Sequence, residues 1–372
     1  MVKSSSPRGT TGLTTLTGKH TVLPMLAVES KVVTAVGAAT SPAEPNCSWK
    51  QIVEPVEPFL DAVSLRLAKQ VTEFDPALAQ YAEYALTGHG KHLRPTLVAL
   101  AANSLGKVND SHVTVAVIIE MVHLATLVHD DVMDEAEIRR GQLTLAANWG
   151  NEIAVLFGDC LFAQSLKLAA SFPTPEICRA VAMATNTVCS GEILQTRNRR
   201  NFESSRRDYF RVLEMKTAEL FALSCELAAC LSSATPLERM ALRQFGLAFG
   251  TAYQVYDDCV DLFGSEAEAG KSLGTDLAKG KLTYPVLLAW ERATAADRAK
   301  LEAWVQEWQP GSIVRVNELL THYGTLSPSL EIIEQYLEQA RQTLSALPES
   351  GGRGGLFGVT KYLTRQTAAL SE

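Results

Sequence analysis

The sequence is poor in the features that mark several large classes of protein. Seven of its 372 residues are cysteine, an odd number, and none stands in a Cys-x-x-Cys pair. That pattern supports neither a zinc site nor a disulfide framework, and reduced thiols in a cytosol-like compartment fit it better. The formal charge is −7, which offers no electrostatic footprint for nucleic acid. No uninterrupted apolar run reaches the roughly 18 to 20 residues that a membrane span requires. The strongest candidate, 113–128, carries Glu120 and His123 and reads as a buried helix. Strand-like alternation bounded by turn residues is hard to find, and there is no internal repeat of solenoid length.

What is present is helical. At 47% hydrophobic content the chain can bury a large core, as one large or two medium domains. From Trp49 onward apolar residues recur at helical spacings, as in Val56, Phe59, Leu60, Val63, Leu67 and Val71, and again in Ile333, Leu337, Ala340, Leu344 and Leu347. Breakers punctuate these stretches at 87–90, Gly141, 171–175, Gly264, Gly270 and Gly274. The run Gly351-Gly352-Arg353-Gly354-Gly355 predicts a flexible loop before a short final helix. Residues 1–46 are rich in Ser, Thr, Gly and Pro, with Lys3, Arg8 and Lys19 ahead of the first acid, Glu29. They read as a disordered tail, with a transit peptide as the alternative. The expected organisation is therefore a tail over 1–46 and one all-α domain over 47–372. Two stretches, 113–128 and 245–255, are apolar on all sides and belong at the centre of a bundle.

Both central stretches end in acid. Asp130 and Asp134, in Asp130-Asp131-Val132-Met133-Asp134, share a helix face. Two carboxylates about 5 Å apart repel by roughly 3 kcal/mol at an effective dielectric near 20, and a helix C-terminus adds to the cost. A hard divalent cation with oxygen ligands, such as Mg2+ shared with substrate phosphates, removes the conflict. In isolation such a cluster is as well explained by a solvated helix end. Here Asp257-Asp258-Cys259-Val260-Asp261 repeats the spacing, and two matching clusters on two central helices imply a cavity facing several metal ions. Cations stand ready for phosphate: Arg139, Arg140, Lys271 and Lys281 after the clusters, Lys91 and Arg94 in a Gly-Lys-His-Leu-Arg-Pro run, and Lys216 before Thr217.

With these residues in view, the chain resembles the trans-prenyl diphosphate synthases, most of all their medium- and long-chain branch. The match runs from about Gly88 to Pro285. His123 through Asp134 with Arg139-Arg140-Gly141 is similar to the family's first aspartate-rich motif, and Phe249 through Asp261 to the second. Gly191-Glu192-Ile193-Leu194-Gln195 and Lys216-Thr217-Ala218 fall between them in the family's order. His92 stands where the family often has Arg, and Cys259 where a larger apolar residue is usual; neither is an inferred ligand.

The resemblance implies an all-α isoprenoid-synthase bundle around a deep central cavity, a homodimer, and a cytoplasmic prenyltransferase. Asp130, Asp131, Asp134, Asp257, Asp258 and Asp261 would hold Mg2+, three ions in all, against an allylic diphosphate. Arg139, Lys216, Thr217, Gln254, Lys271 and Lys281 would contact that diphosphate. Lys91, Arg94, His123 and Arg140 would hold isopentenyl diphosphate. In the family, small residues before the first motif let a growing chain pass. Ala125 and Thr126 therefore predict products longer than geranylgeranyl diphosphate, with shorter-chain synthases as the alternative.

Other readings fit less well. Class I terpene cyclases usually replace the second cluster and lack Lys91 and Arg94. A di-iron bundle needs two Glu-x-x-His motifs, and only Glu120–His123 supplies one. Residues 264–272 imitate a P-loop, but with a wrong spacing and two glutamates; a loop closing over the second cluster is the better account. The arginines at 197, 199, 200, 206, 207 and 211 read as a solvated segment, with anionic lipid or substrate steering as the alternative. A non-catalytic partner subunit would be expected to lose acids that are all kept here.

Overall fold

Helix starts in this chain are marked by short polar side chains. Ser48, Asn109, Ser205 and Thr235 each accept a hydrogen bond from a backbone amide of the turn they open. Gln51, His112, Asp208 and Glu238, three residues on, reach back to the cap's own amide. Each pair satisfies amides that a helix start leaves without partners. The structure is a computed structural model describing residues 48–87, 90–265, 273–309 and 311–371.

The helices run α1 (Trp49–Val53), α2 (Glu57–Gln70), α3 (Ala79–Leu86), α4 (Leu93–Leu105), α5 (Asp110–Met133), α6 (Leu145–Trp149), α7 (Asn151–Ala170), α8 (Glu176–Arg197), α9 (Arg206–Leu213), α10 (Glu219–Leu231) and α11 (Pro236–Phe263). Further helices cover Tyr284–Arg292, Ala295–Gln306, Ser312–His322, Leu326–Thr343 and Gly351–Ala369. The fold is the all-helical bundle that the periodicity predicts.

α5 lies in the core on nearly every side, with Val115, Ile118, Ile119 and Met121 fully buried. By length and composition α5 and α7 each match what a membrane crossing needs, yet the apolar surface of α5 faces its neighbours in the bundle. α11 packs against α10 through glycines. A Cβ on Gly246 would sit 2.4 Å from the Phe221 carbonyl oxygen, and one on Gly250 would sit 2.8 Å from Ala218 Cα. Small residues thus bring the two backbones together, and Phe221, Phe245 and Phe249 fill the remaining space with packed rings. The contact sets the direction in which α11 carries its acids.

Two local expectations are corrected. Gly351–Gly355 is not a loop but the first turns of a helix that runs to Ala369. Gly352 is there for close approach: a Cβ on it would lie 2.2 Å from the Ser104 amide nitrogen of α4. There is also a small hairpin, in which β1 (Ile138–Arg139) pairs antiparallel with β2 (Gln142–Leu143). Its turn needs positive φ at both central residues, and Arg140 (53°) and Gly141 (76°) supply it.

A second, smaller core gathers Phe202, Leu262, Leu277, Val286 and Leu301. Leu277 is fully buried in it, which anchors the segment bearing Lys279 and Lys281 beside the acid clusters.

Candidate active site

The last turn of α5 sets out three carboxylates, and each faces a cation. Lys216 Nζ lies 3.3 Å from Asp130. Arg139, carried by β1, donates to Asp131 at 2.7 Å. Asp134, the residue that ends α5, accepts from Arg199 at 2.8 Å, Lys281 at 2.9 Å and Lys279 at 3.1 Å. The two neighbouring acids respond differently. Burial pushes the Asp131 carboxyl upward in spite of Arg139. Burial would do the same to Asp134, but Lys281 and Lys279 outweigh it and hold that carboxyl at about 2.

The second cluster divides its labour. Tyr209 donates to one oxygen of Asp258 at 2.6 Å, and the Gln254 amide donates to the other at 2.8 Å. Burial, with Asp276 nearby, raises the Asp258 carboxyl well above its ordinary value. Asp261, fully buried, accepts from the Thr275 amide, the Thr275 hydroxyl and the Asp276 amide at 3.2, 2.7 and 3.1 Å. Asp258 and Asp261 are thus buried against these donors, and Asp257 beside them is partly exposed.

Two bridges join the clusters. In the first, one turn of π-helix over Glu214–Ala218 carries Lys216 to Asp130, while Thr217 donates to Gln254 at 2.9 Å and Gln254 continues to Asp258. Such turns are frequent at functional sites because they re-aim side chains. The Gly-Glu-Ile-Leu-Gln motif of α8 supports this turn: a Cβ on Gly191 would stand 2.8 Å from the Lys216 amide nitrogen. Glu192 pairs with the Lys216 ammonium, and Gln195 accepts from it at 2.9 Å. Burial alone would lower the Lys216 ammonium, but Asp130 and Glu192 carry it upward, so it stays charged. In the second bridge Lys281 spans Asp134 and Asp276, whose amide is bound by Asp261. Between the bridges a cleft of about 720 Å3, counting its open mouth, is lined by Gln195, Tyr209, Lys216, Gln254, Asp276 and Lys281.

The remaining expected residues fall into a separate group. Lys91 is exposed just ahead of α4, and Arg94 lies in its first turn. Arg140 rests on Gly90, where a Cβ would meet its guanidinium at 2.8 Å. His123 on α5 faces this group; burial, then Arg94, Arg140 and Arg139, keep its imidazole well below its usual value. It is therefore neutral, and the positive charge here comes from lysine and arginine. Ala125 is fully buried and Thr126 half-buried on α5. Lys271 lies outside the described residues.

Sequence reasoning missed Arg199, Lys279 and Tyr209. The sequence sets Arg199 in a basic run that reads as solvated, yet its side chain reaches Asp134. Among the described residues no three His, Cys, Asp or Glu side chains converge on one point; the acids alternate with cations instead. Oxygen-only donors at Asp130, Asp131, Asp134 and Asp257 nonetheless fit a hard divalent ion.

Comparison with known proteins shows the family and the fold. A family model described as Polyprenyl synthetase matches residues 75–322. Heptaprenyl diphosphate synthase component 2 of Bacillus subtilis (strain 168) is 35% identical over 314 residues, 82% of this chain and 88% of that protein. Octaprenyl diphosphate synthase of Haemophilus influenzae is 34% identical over 318 residues, 85% of this chain and 96% of that one. A solved polyprenyl synthase from Caulobacter crescentus CB15, complexed with calcium and isoprenyl diphosphate, is similar with a TM-score of 0.80 at 31% identity. The match covers 85% of this chain and 97% of the other.

Proposed function

From the premise that this chain belongs to the polyprenyl synthetase family and is a prenyltransferase, we propose that it condenses isopentenyl diphosphate onto an allylic diphosphate and releases a long-chain trans-prenyl diphosphate. The observation that carries the reading is the pair of bridges that makes one site of two aspartate clusters.

Asp130, Asp131, Asp134 and Asp257 are the residues that would hold Mg2+, in up to three ions, with Asp258 and Asp261 supporting them from behind. The bound metal supplies positive charge against the diphosphate that leaves the allylic carbon. The chain's own cations add to it. Lys216 and Lys281 are point charges at the cleft wall, and Arg139 offers a planar fork for phosphate oxygens. Lys271 is proposed for the same role. Gln254 and Thr217 hold the wall in register. Lys91, Arg94, Arg140 and neutral His123 hold the diphosphate of isopentenyl diphosphate, so that its double bond meets the allylic cation as the carbon–oxygen bond breaks. The departed diphosphate takes the proton lost from the carbon next to the new cation, which forms the product's double bond and completes the step. No protein nucleophile is needed.

The small side chain of Ala125, on α5 ahead of Asp130, favours a product longer than geranylgeranyl diphosphate. The bundle also supports pairing with a second copy. Leu156 on α7 and Met183 and Ile193 on α8 are 61%, 65% and 69% exposed, apolar side chains that a second copy would cover.

The test is a primer survey. Geranyl, farnesyl and geranylgeranyl diphosphates are each offered with isopentenyl diphosphate over a Mg2+ titration. Metal-dependent elongation of at least one primer is expected; inertness toward all three would turn the reading to a subunit that acts only with a second, different chain.

A further inference from the structure

On α5, one turn before His123, Glu120 is 8% exposed. A buried carboxylate is costly unless it meets positive charge. Burial raises the Glu120 carboxyl, and the basic side chains Arg94, His92 and Arg140 work against that rise; His92 Nδ1 stands 3.8 Å from Glu120 Oε2. Arg94 is constrained from its other side, its guanidinium carbon lying 4.6 Å above the Phe221 ring. Its Nε is buried without a hydrogen-bond partner, as is His92 Nδ1. Both groups sit beside a backbone under strain: His92, the residue that opens α4, has φ of 43°, and Arg140 has φ of 53°. Non-glycine residues persist there only when their surroundings hold them, and such residues cluster at ligand sites.

The charge arrangement explains what holds them. Arg94 and Arg140 repel each other, and burial also works against the Arg94 charge; Glu120 is the anion that opposes both effects. The same acid cannot be a diphosphate ligand, since its charge has the wrong sign. We propose that Glu120 is a positioning residue for the second diphosphate subsite. From beneath, its buried carboxylate holds Arg94 and the left-handed His92 turn, so that the guanidinium groups of Arg94 and Arg140 stay together and charged, ready for isopentenyl diphosphate. The assignment rests on the subsite reading given under Proposed function. It explains why an acid stands in the one group of site residues that is otherwise entirely basic or neutral.

The test compares Glu120→Gln, which keeps the shape and removes the charge, with Glu120→Asp, which keeps the charge. Steady-state kinetics are measured for each substrate in turn. For Glu120→Gln the KM for isopentenyl diphosphate rises about tenfold, the order expected when a buried charged partner is lost. The KM for the allylic primer and kcat change by less than about threefold. Glu120→Asp recovers part of the loss. A purely structural role predicts a different pattern, a lower melting temperature with both KM values unchanged, and that result overturns the proposal. Should Glu120→Gln fail to fold, Glu120→Asp alone decides, by a selective rise in one KM or none. Failure of the unmutated protein to use isopentenyl diphosphate would instead refute the subsite reading itself.

Discussion

The Thr217 hydroxyl donates to Gln254 Oε1 across 2.9 Å, so a turn of π-helix and the core helix α11 meet through one hydrogen bond. The Gln254 amide group then donates to Asp258. One side chain thereby ties the element that carries Lys216 to the second aspartate cluster.

Gln254→Ala should therefore harm catalysis more than folding. It removes one donor from a buried carboxylate and one acceptor from Thr217, a loss of about 1–3 kcal/mol per unpaired group. Turnover is expected to fall by roughly one to two orders of magnitude, with the helical circular dichroism spectrum preserved.

The aspartates of the second cluster should separate by phenotype. Asp257→Ala is expected to reduce turnover by orders of magnitude with little change in melting temperature. Asp261→Ala deprives two amides and a hydroxyl of their acceptor, and should cost about 3 kcal/mol of stability. Calorimetry alongside kinetics checks the split; equal melting temperatures for the two variants would remove it.

The imidazole of His123 is held neutral by burial and by neighbouring arginines. Its folded value lies below its unfolded value of about 6.5, so the unfolded chain binds the extra proton and stability falls as pH drops below that value. Denaturation of the protein and of His123→Gln is compared between about pH 7.5 and pH 5.5. The unmutated protein should lose ground steadily against the variant toward the acid end.

Ala125→Phe sets a bulky ring on α5 ahead of Asp130, and the expected outcome is a shorter product with initiation on the primer maintained. Chromatography of dephosphorylated products reads the length directly. An unchanged length would assign chain termination elsewhere.

Much of this architecture is legible in the sequence because burial on all sides leaves a plain record. The runs around Ile118 and Phe249 keep apolar residues on every side of the helix, and both lead into acid. What is not legible depends on distant partners. Nothing near Arg199 distinguishes it from its solvated neighbours; its role comes from Asp134, which the fold brings to it from another helix. Asp257, Asp258 and Asp261 look alike as letters, and partners from other elements, Tyr209 and Thr275 among them, set them apart. The glycines at 351–355 have the composition of a loop. They lie in a helix, where Gly352 meets α4 so closely that a side chain would collide with its backbone and Gly355 faces the Leu100 side chain.

The central claim is tested most directly by incubating the purified protein with labelled isopentenyl diphosphate and farnesyl diphosphate, with Mg2+ or with EDTA, and resolving the extracted prenols by length. The account predicts a Mg2+-dependent ladder ending in one product longer than geranylgeraniol, and none with EDTA. A ladder that persists in EDTA, or a cyclic hydrocarbon in place of linear prenols, would contradict it.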